Sequence, residues 1–314
     1  MNPAQLYRGF GTPPVINAAG YQTVLGGSRL SPAVQEAMAA ANRHYVEMER
    51  LLLGTGEEIA GLLGCEAAMV SPGMSAGNPD RMEQLPDTTG IPNEFLLQAR
   101  QHYHYQRCLT IFGGVLVDAG DETGTSAAQL EDAVSGNTAA IHYFASGDED
   151  DTILDLEGVF YVAAPRELPV TVDAAYQVCP LETMRGLASS GGLAGFGAKY
   201  IGAPNSTGIL CGPRDLVEAA FLHSFIGFET SDYETLGRPL KLDRQEIVAV
   251  IVALREWLAM DHEARITEHW VRADRIIDAL DGVPHIQAAR HVEENSLSNG
   301  VMVTLDEQAL GKTA

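Results

Sequence analysis

The chain has 314 residues, 46% of them hydrophobic and 20% charged, enough apolar material for a large core and for one big domain with a smaller one beside it. Forty-two acidic against twenty basic side chains leave a formal charge of −22, which repels phosphate backbones and anionic lipid; with no Lys/Arg-rich run, nucleic-acid partners are disfavoured. No apolar segment reaches the ~18 residues of a membrane span and no charged-then-apolar leader opens the chain, so a cytoplasmic protein is expected.

Residues 1–20 read as an N-terminal arm. The stretch "SPAVQEAMAAANRHYVEMERLLLGTGEEIAGLLG" opens with Ser31 as N-cap and Pro32 at the first helical position, and predicts one or two helices broken near Gly54 and Gly56. "CEAAMVSPGMSAG" follows as a short strand running into a turn of small residues. "GGVLVDAG", "TAAIHYFA" and "LPVTVDAAYQ" are apolar runs too short for helices, with "SAAQLEDAVSG" as a helix between the first two. Such alternation predicts an α/β fold with a mostly parallel, doubly wound sheet over 21–235. From 236 to 314 the pattern changes: a long helical stretch, apolar nearly all round at its start and so buried, is followed by two strands, "VPHIQAARHV" and "NGVMVTL", of a small α+β unit.

Metal chemistry finds little footing. Cys65, Cys108, Cys179 and Cys211 lack CxxC spacing, the nine histidines form no HExxH, and "GDEDD" at 147–151 reads as a solvated loop. No GxGxxG follows the first strand, which argues against a dinucleotide fold.

Chemistry in an open parallel sheet collects at the carboxyl ends of its strands. Three pieces fall at such ends: Asp173 closing "PVTVD", the turn "SPGMSAG", and Lys199 in "FGAKYIGAPNSTGILCGP". A carboxylate ending an apolar strand needs a cationic partner. The protonated nitrogen of a pyridine is such a partner, and a nearby lysine can hold the ring's aldehyde as an imine, which is the chemistry of pyridoxal 5′-phosphate. Small side chains at Gly195, Gly197 and Ala198 let a ring approach the backbone, and Ala175 shares a face with Asp173 in an extended chain. Separately, Asp173 also reads as a helix N-cap or turn residue, and Lys199 as a surface lysine in a turn.

Together, "VDAAYQ" and "FGAKYIGAPNSTGILCGPRDLVEAA" resemble the fold-type I pyridoxal-phosphate enzymes, within them the branch of bacterial selenocysteine synthase and its sugar-acid ammonia-lyase relatives. "PPVINAAGYQTVLGGSRLSPAVQEAM", "EEIAGLLGCEAAMVSPGMSAG" and "GRPLKLDRQEIVAVIVALREWLAMDHEA" are similar to stretches of that group in the same order. The resemblance implies that Lys199 carries the Schiff base and moves the proton, and that Asp173 bonds the pyridinium nitrogen. It implies that Gln177 or Tyr176 lies near the ring hydroxyl, and that Ser71, Gly73, Met74 and Ser75 cup the phosphate. His102 or His104 would stack over the ring, or serve as a structural or exposed histidine. Arg238 would meet an anionic substrate group, or form a surface salt bridge; Ser206 and Thr207 would line the site or cap the next strand.

The implied activity is elimination or replacement at the β-carbon of an amino acid or amino sugar acid, in a homodimer or higher homo-oligomer. Three departures stand against it: Asn78, Pro79 and Asp80 cut short the helix expected after "SPGMSAG", "FGAK" lacks a serine hydroxyl before the lysine, and the small domain is expected to be incomplete. They support a second expectation, a catalytically weak remnant that survives as a scaffold or dimer partner.

Overall fold

Alternating hydrophobic runs and amphipathic segments fold into a layered α/β molecule in the computed structural model, which describes residues 3–71, 79–146, 150–291 and 300–311. Seven strands make one sheet: β1 (Ala67–Ser71), β2 (Glu94–Gln98), β3 (Val115–Ala119), β4 (Thr138–Phe144), β5 (Val170–Asp173), β6 (Leu193–Gly197) and β7 (Gly208–Gly212). Their order is β1-β7-β6-β5-β4-β2-β3. Strands β2 to β6 run parallel, and β7 is antiparallel to both β1 and β6. The mostly parallel sheet expected from the sequence is present, with β2, in "EFLLQ", added to it.

The helices are α1 (Pro3–Arg8), α2 (Pro32–Ala41), α3 (Met48–Leu63), α4 (Arg107–Thr110), α5 (Ala127–Ala133), α6 (Leu156–Ala163), α7 (Leu181–Ala188), α8 (Arg214–Leu222), α9 (Phe225–Thr230), α10 (Arg244–Ala259), α11 (His262–Leu280) and α12 (Glu307–Leu310). Ser31 caps α2 as predicted, accepting from Val34 N at 3.1 Å. The predicted break at Gly54 and Gly56 is absent, because α3 runs through both and the chain turns instead between Ala41 and Met48. Gly56 is kept for packing: a Cβ there would stand 2.2 Å from the Ala68 carbonyl oxygen, so its bare backbone lets α3 lie directly on β1.

Side-chain alternation divides the sheet into two faces. Leu96, Ile141, Tyr143, Val170, Val172, Ala194 and Phe196 point into the main core, closed by α3, α5, α6, α7 and α10. Met69, Leu193 and Leu210 point the other way, against Val217 and Ala220 of α8. That second face is only partly covered, and a cavity of about 570 Å³ lies over it, lined by Phe95, Ala140, Thr171, Leu193 and Leu216.

The long C-terminal helical stretch is two helices divided at Met260 and Asp261, whose carboxylate caps α11 through Ala264 N at 2.9 Å. The first of them, α10, buries Ile247, Val250, Leu254 and Trp257, as its all-round apolar pattern predicts. The two expected strands, β8 (Ile286–His291) and β9 (Gly300–Leu305), pair as an antiparallel hairpin beside α11.

Candidate active site

Strands β4 and β5 place four residues on the partly covered face by simple alternation: His142 opposite Thr171, and Phe144 opposite Asp173. Asp173 Oδ1 accepts the Ala175 backbone N–H at 3.1 Å, and Oδ2 accepts the Tyr103 hydroxyl at 2.8 Å. Tyr103 arrives from the connection between β2 and β3 and stacks on Phe144, ring centroids 4.2 Å apart. Burial, then the Asp173 charge, pushes the Tyr103 hydroxyl well above the ordinary phenol range, so it stays a donor. Behind it His142 is 1% exposed, and burial lowers its pKa to about 4.

Strand β6 lies next to β5 in parallel register, Asp173 facing Gly195, and ends two residues before Lys199. The Gly197 N–H donates to the Ala175 carbonyl at 2.8 Å, which ties the two strand ends together. Lys199 Nζ donates to Thr23 Oγ1 at 2.7 Å and stands 4.9 Å from the Tyr200 ring centroid. Desolvation lowers its pKa. Tyr200 links the two charges: burial first, then Tyr105 and Asp173, raise its phenol pKa, while its ring receives the lysine. Among the described residues neither Lys199 nor Asp173 has an oppositely charged side chain in ion-pair reach. A cation and an anion on adjacent strand ends, each holding only neutral partners, leave room for a group that carries both complementary charges.

The segment carrying Thr23 crosses this turn and packs on it. Ser28 Oγ donates to the Ala203 carbonyl, Tyr21 meets Tyr200 edge-on at 5.9 Å, and Gly27, at φ +73°, passes so close to Asn205 that a Cβ would lie 2.3 Å from its Oδ1. Nothing in the sequence pattern of 21–28 announces this contact.

Of the other sequence candidates, Ala175 lies between the two strand ends, and Gln177, 3% exposed, donates to the Ala145 carbonyl at 3.1 Å. Tyr176 gives its hydroxyl to the Ser146 carbonyl and turns an edge to Tyr200. Ser71 is buried at the end of β1, opposite Gly208; Gly73, Met74 and Ser75 lie outside the described residues. His104 is exposed and edge-on to Tyr105, while His102 is held between Gln106 Oε1 and Asp118 Oδ1, both at 2.8 Å. In "QHYHYQR" it is Tyr103, between the two histidines, that the fold brings to Asp173. Arg238 pairs with Glu229 at 2.8 Å. Ser206 binds Glu246, and Thr207 donates to the Pro204 carbonyl at 2.8 Å.

No family model matches the chain. It is 29% identical over 329 residues to a 5′-C-glycyluridine monooxygenase-decarboxylase from Streptomyces sp, an alignment that covers 98% of this chain and 79% of that protein. It is 26% identical over 302 residues to D-glucosaminate-6-phosphate ammonia lyase of Salmonella typhimurium, with 90% and 77% covered. The solved structure of a D-glucosaminate-6-phosphate ammonia-lyase superposes with a TM-score of 0.80 at 24% identity, over 99% of this chain and 85% of that one. The fold is that of the fold-type I pyridoxal-phosphate enzymes. The residues described here fit that cofactor: a partly desolvated amine for its aldehyde carbon, a carboxylate for its ring nitrogen, and backbone stripped of side chains at Gly195 and Gly197.

Proposed function

We propose that the chain is a pyridoxal-phosphate lyase that takes an amino sugar acid, or a related amino acid, and eliminates or replaces a group at its β-carbon. When bound, the cofactor supplies an electron sink for the negative charge left at the substrate's α-carbon. Lys199 would hold the cofactor through its aldehyde carbon and, with its amine free, would move the proton at the substrate's α-carbon. Desolvation lowers the proton affinity of its amine, which favours its use as a base. The Thr23 hydroxyl gives the free amine a partner. Asp173 would hold the positive ring nitrogen, and the Arg238 guanidinium, paired with Glu229 in this structure, would meet an anionic group of the substrate.

The observation that carries this reading is the pair of adjacent strand ends bearing Asp173 and Lys199, unpaired with each other or any other charge among the described residues, and both acting on Tyr200. Within the resemblance, we adopt the sugar-acid ammonia-lyase side, because a charge of −22 repels a tRNA-borne substrate. Borohydride reduction in the presence of pyridoxal phosphate, followed by peptide mass analysis, is expected to place a pyridoxyl group on Lys199. Lys199→Ala should lose both that label and any release of ammonia from D-glucosaminate 6-phosphate and related amino sugar acids. A wild-type protein that takes up no pyridoxyl group sinks the proposal.

Two observations favour a second reading, a catalytically silent scaffold. After β1, the first described element is a single 3₁₀ segment, Pro79–Gln84, where the resemblance implies a longer helix. The 329-residue alignment also exceeds the 314 residues of this chain, so the Streptomyces protein has aligned positions that this one lacks. A folded, colourless protein that binds no added cofactor would support this reading.

A further inference from the structure

Behind Asp173 lies a line of polar groups that the proposed reaction does not use. Tyr103 Oη lies 2.8 Å from Asp173 Oδ2 and 3.0 Å from His142 Nε2, and His142 Nδ1 lies 2.8 Å from Thr171 Oγ1. All of it sits on one sheet face, because His142 and Thr171 are register partners on β4 and β5. His142 is 1% exposed and Thr171 9%, so no bulk water substitutes for a missing bond.

The direction of each proton follows from counting. A carboxylate only accepts, so the single Tyr103 proton goes to Asp173. The Tyr103 oxygen is then the acceptor from His142, whose Nε2 must carry its proton. Burial keeps the imidazole neutral, so Nδ1 is bare and accepts from the Thr171 hydroxyl. Three donors therefore point the same way, from Thr171 through His142 and Tyr103 to Asp173.

We infer that Tyr103, His142 and Thr171 are positioning residues for Asp173: a one-way hydrogen-bond relay that fixes the carboxylate and feeds donors toward it, so that it is held in place to meet a protonated heterocyclic nitrogen. Charge-assisted bonds that feed into a carboxylate stabilise its ionised form. The relay belongs to the chain itself, whereas its consequence for the ring nitrogen rests on the cofactor reading above. The titratable groups along this line are Tyr103 and Cys108 from the β2–β3 connection, His142 from β4, and Tyr200 from the turn after β6, with Tyr105 beside Tyr200. Among these, only Tyr103 donates a side-chain hydrogen bond to the carboxylate.

Two measurements on the cofactor-free protein test the relay. Nitrogen-15 NMR of the His142 ring is expected to show the Nε2–H tautomer, protonated at Nε2 and bare at Nδ1; the opposite tautomer overturns the inference. Nitrogen-15 spectra of the Tyr103→Phe and Thr171→Val variants are expected to show shifted His142 Nε2 and Nδ1 resonances respectively, and Thr171→Ser should restore the wild-type spectrum. A His142 ring that responds to neither change overturns it as well. With nitrogen-15-labelled pyridoxal phosphate bound, the ring-nitrogen resonance should shift toward the unprotonated position in Tyr103→Phe, and cofactor affinity should fall about tenfold. A relay that passes the cofactor-free tests in a protein that refuses borohydride labelling leaves the relay standing and removes the cofactor reading.

Discussion

His142 turns a buried position into a pH dependence with a definite sign. Its folded-state pKa is about 4, below the ordinary 6.5, so between those values the unfolded chain takes up a proton that the folded chain refuses. Stability is therefore lost as pH falls through that window, by on the order of 3 kcal/mol for the full span. Urea unfolding of the cofactor-free protein between pH 7 and 4 should show this loss, and His142→Gln should flatten it, whatever that change does to stability at pH 7. At this same scale the sequence was unevenly readable. Asp173 and Lys199 stand out, because each interrupts a run of apolar or small residues at a strand end. Tyr103 does not: four aromatic or imidazole side chains crowd "HYHY", and only the short 3₁₀ turn at His104–Gln106 decides which of them reaches Asp173. A signal for His142 and Thr171 did exist, namely polar residues on the second face of otherwise buried strands, but their meeting depends on strand register, which one sequence does not carry.

Elements were more legible than their boundaries. Helix α3 was predicted to break at two glycines that look alike in sequence and differ in space. A Cβ on Gly54 meets nothing within 4 Å, whereas one on Gly56 runs into the Ala68 carbonyl. Gly54→Ala is thus expected to stabilise the protein by up to about 1 kcal/mol through helix propensity. Gly56→Ala gains the same propensity but forces α3 off β1, and overpacking of about 1–3 kcal/mol outweighs it. Opposite shifts in thermal midpoint for the two variants would check this; a rise in both would mean that α3 is not pressed on the strand. Strand β2 escaped prediction because "EFLLQ" is short, follows "GIPN" closely and lacks β-branched residues. Its strand identity comes from β3 and β4 on either side.

At the scale of the molecule, the exposed apolar side chains gather near the start of the chain: Phe10 is 78% exposed, Ile16 99%, Val24 91% and Tyr45 96%. We propose that a second copy covers them, since large apolar side chains this exposed gain free energy when removed from water. Sedimentation velocity at micromolar concentration is expected to give a dimer or larger oligomer, and Ile16→Asp with Val24→Asp should shift it toward monomer; a wild-type monomer would refute the idea. No helix among the described residues is long and apolar enough to cross a membrane. The fold class was legible because βαβ alternation is written in short-range periodicity, while the N-terminal segment's approach to Lys199 joins residues 176 positions apart, beyond any local pattern.

One strand's placement also sets an order of assembly. β1 emerges early in synthesis, yet among the described residues its one neighbour in the sheet is β7, with Ser71 beside Gly208 and Ala67 beside Gly212. Until the ribosome has released that later segment, the first strand has nothing to zip onto, and closing so long a loop is slow. Nascent chains halted before residue 208 should leave β1 open to protease, and chains long enough for residue 212 to have cleared the exit tunnel should protect it.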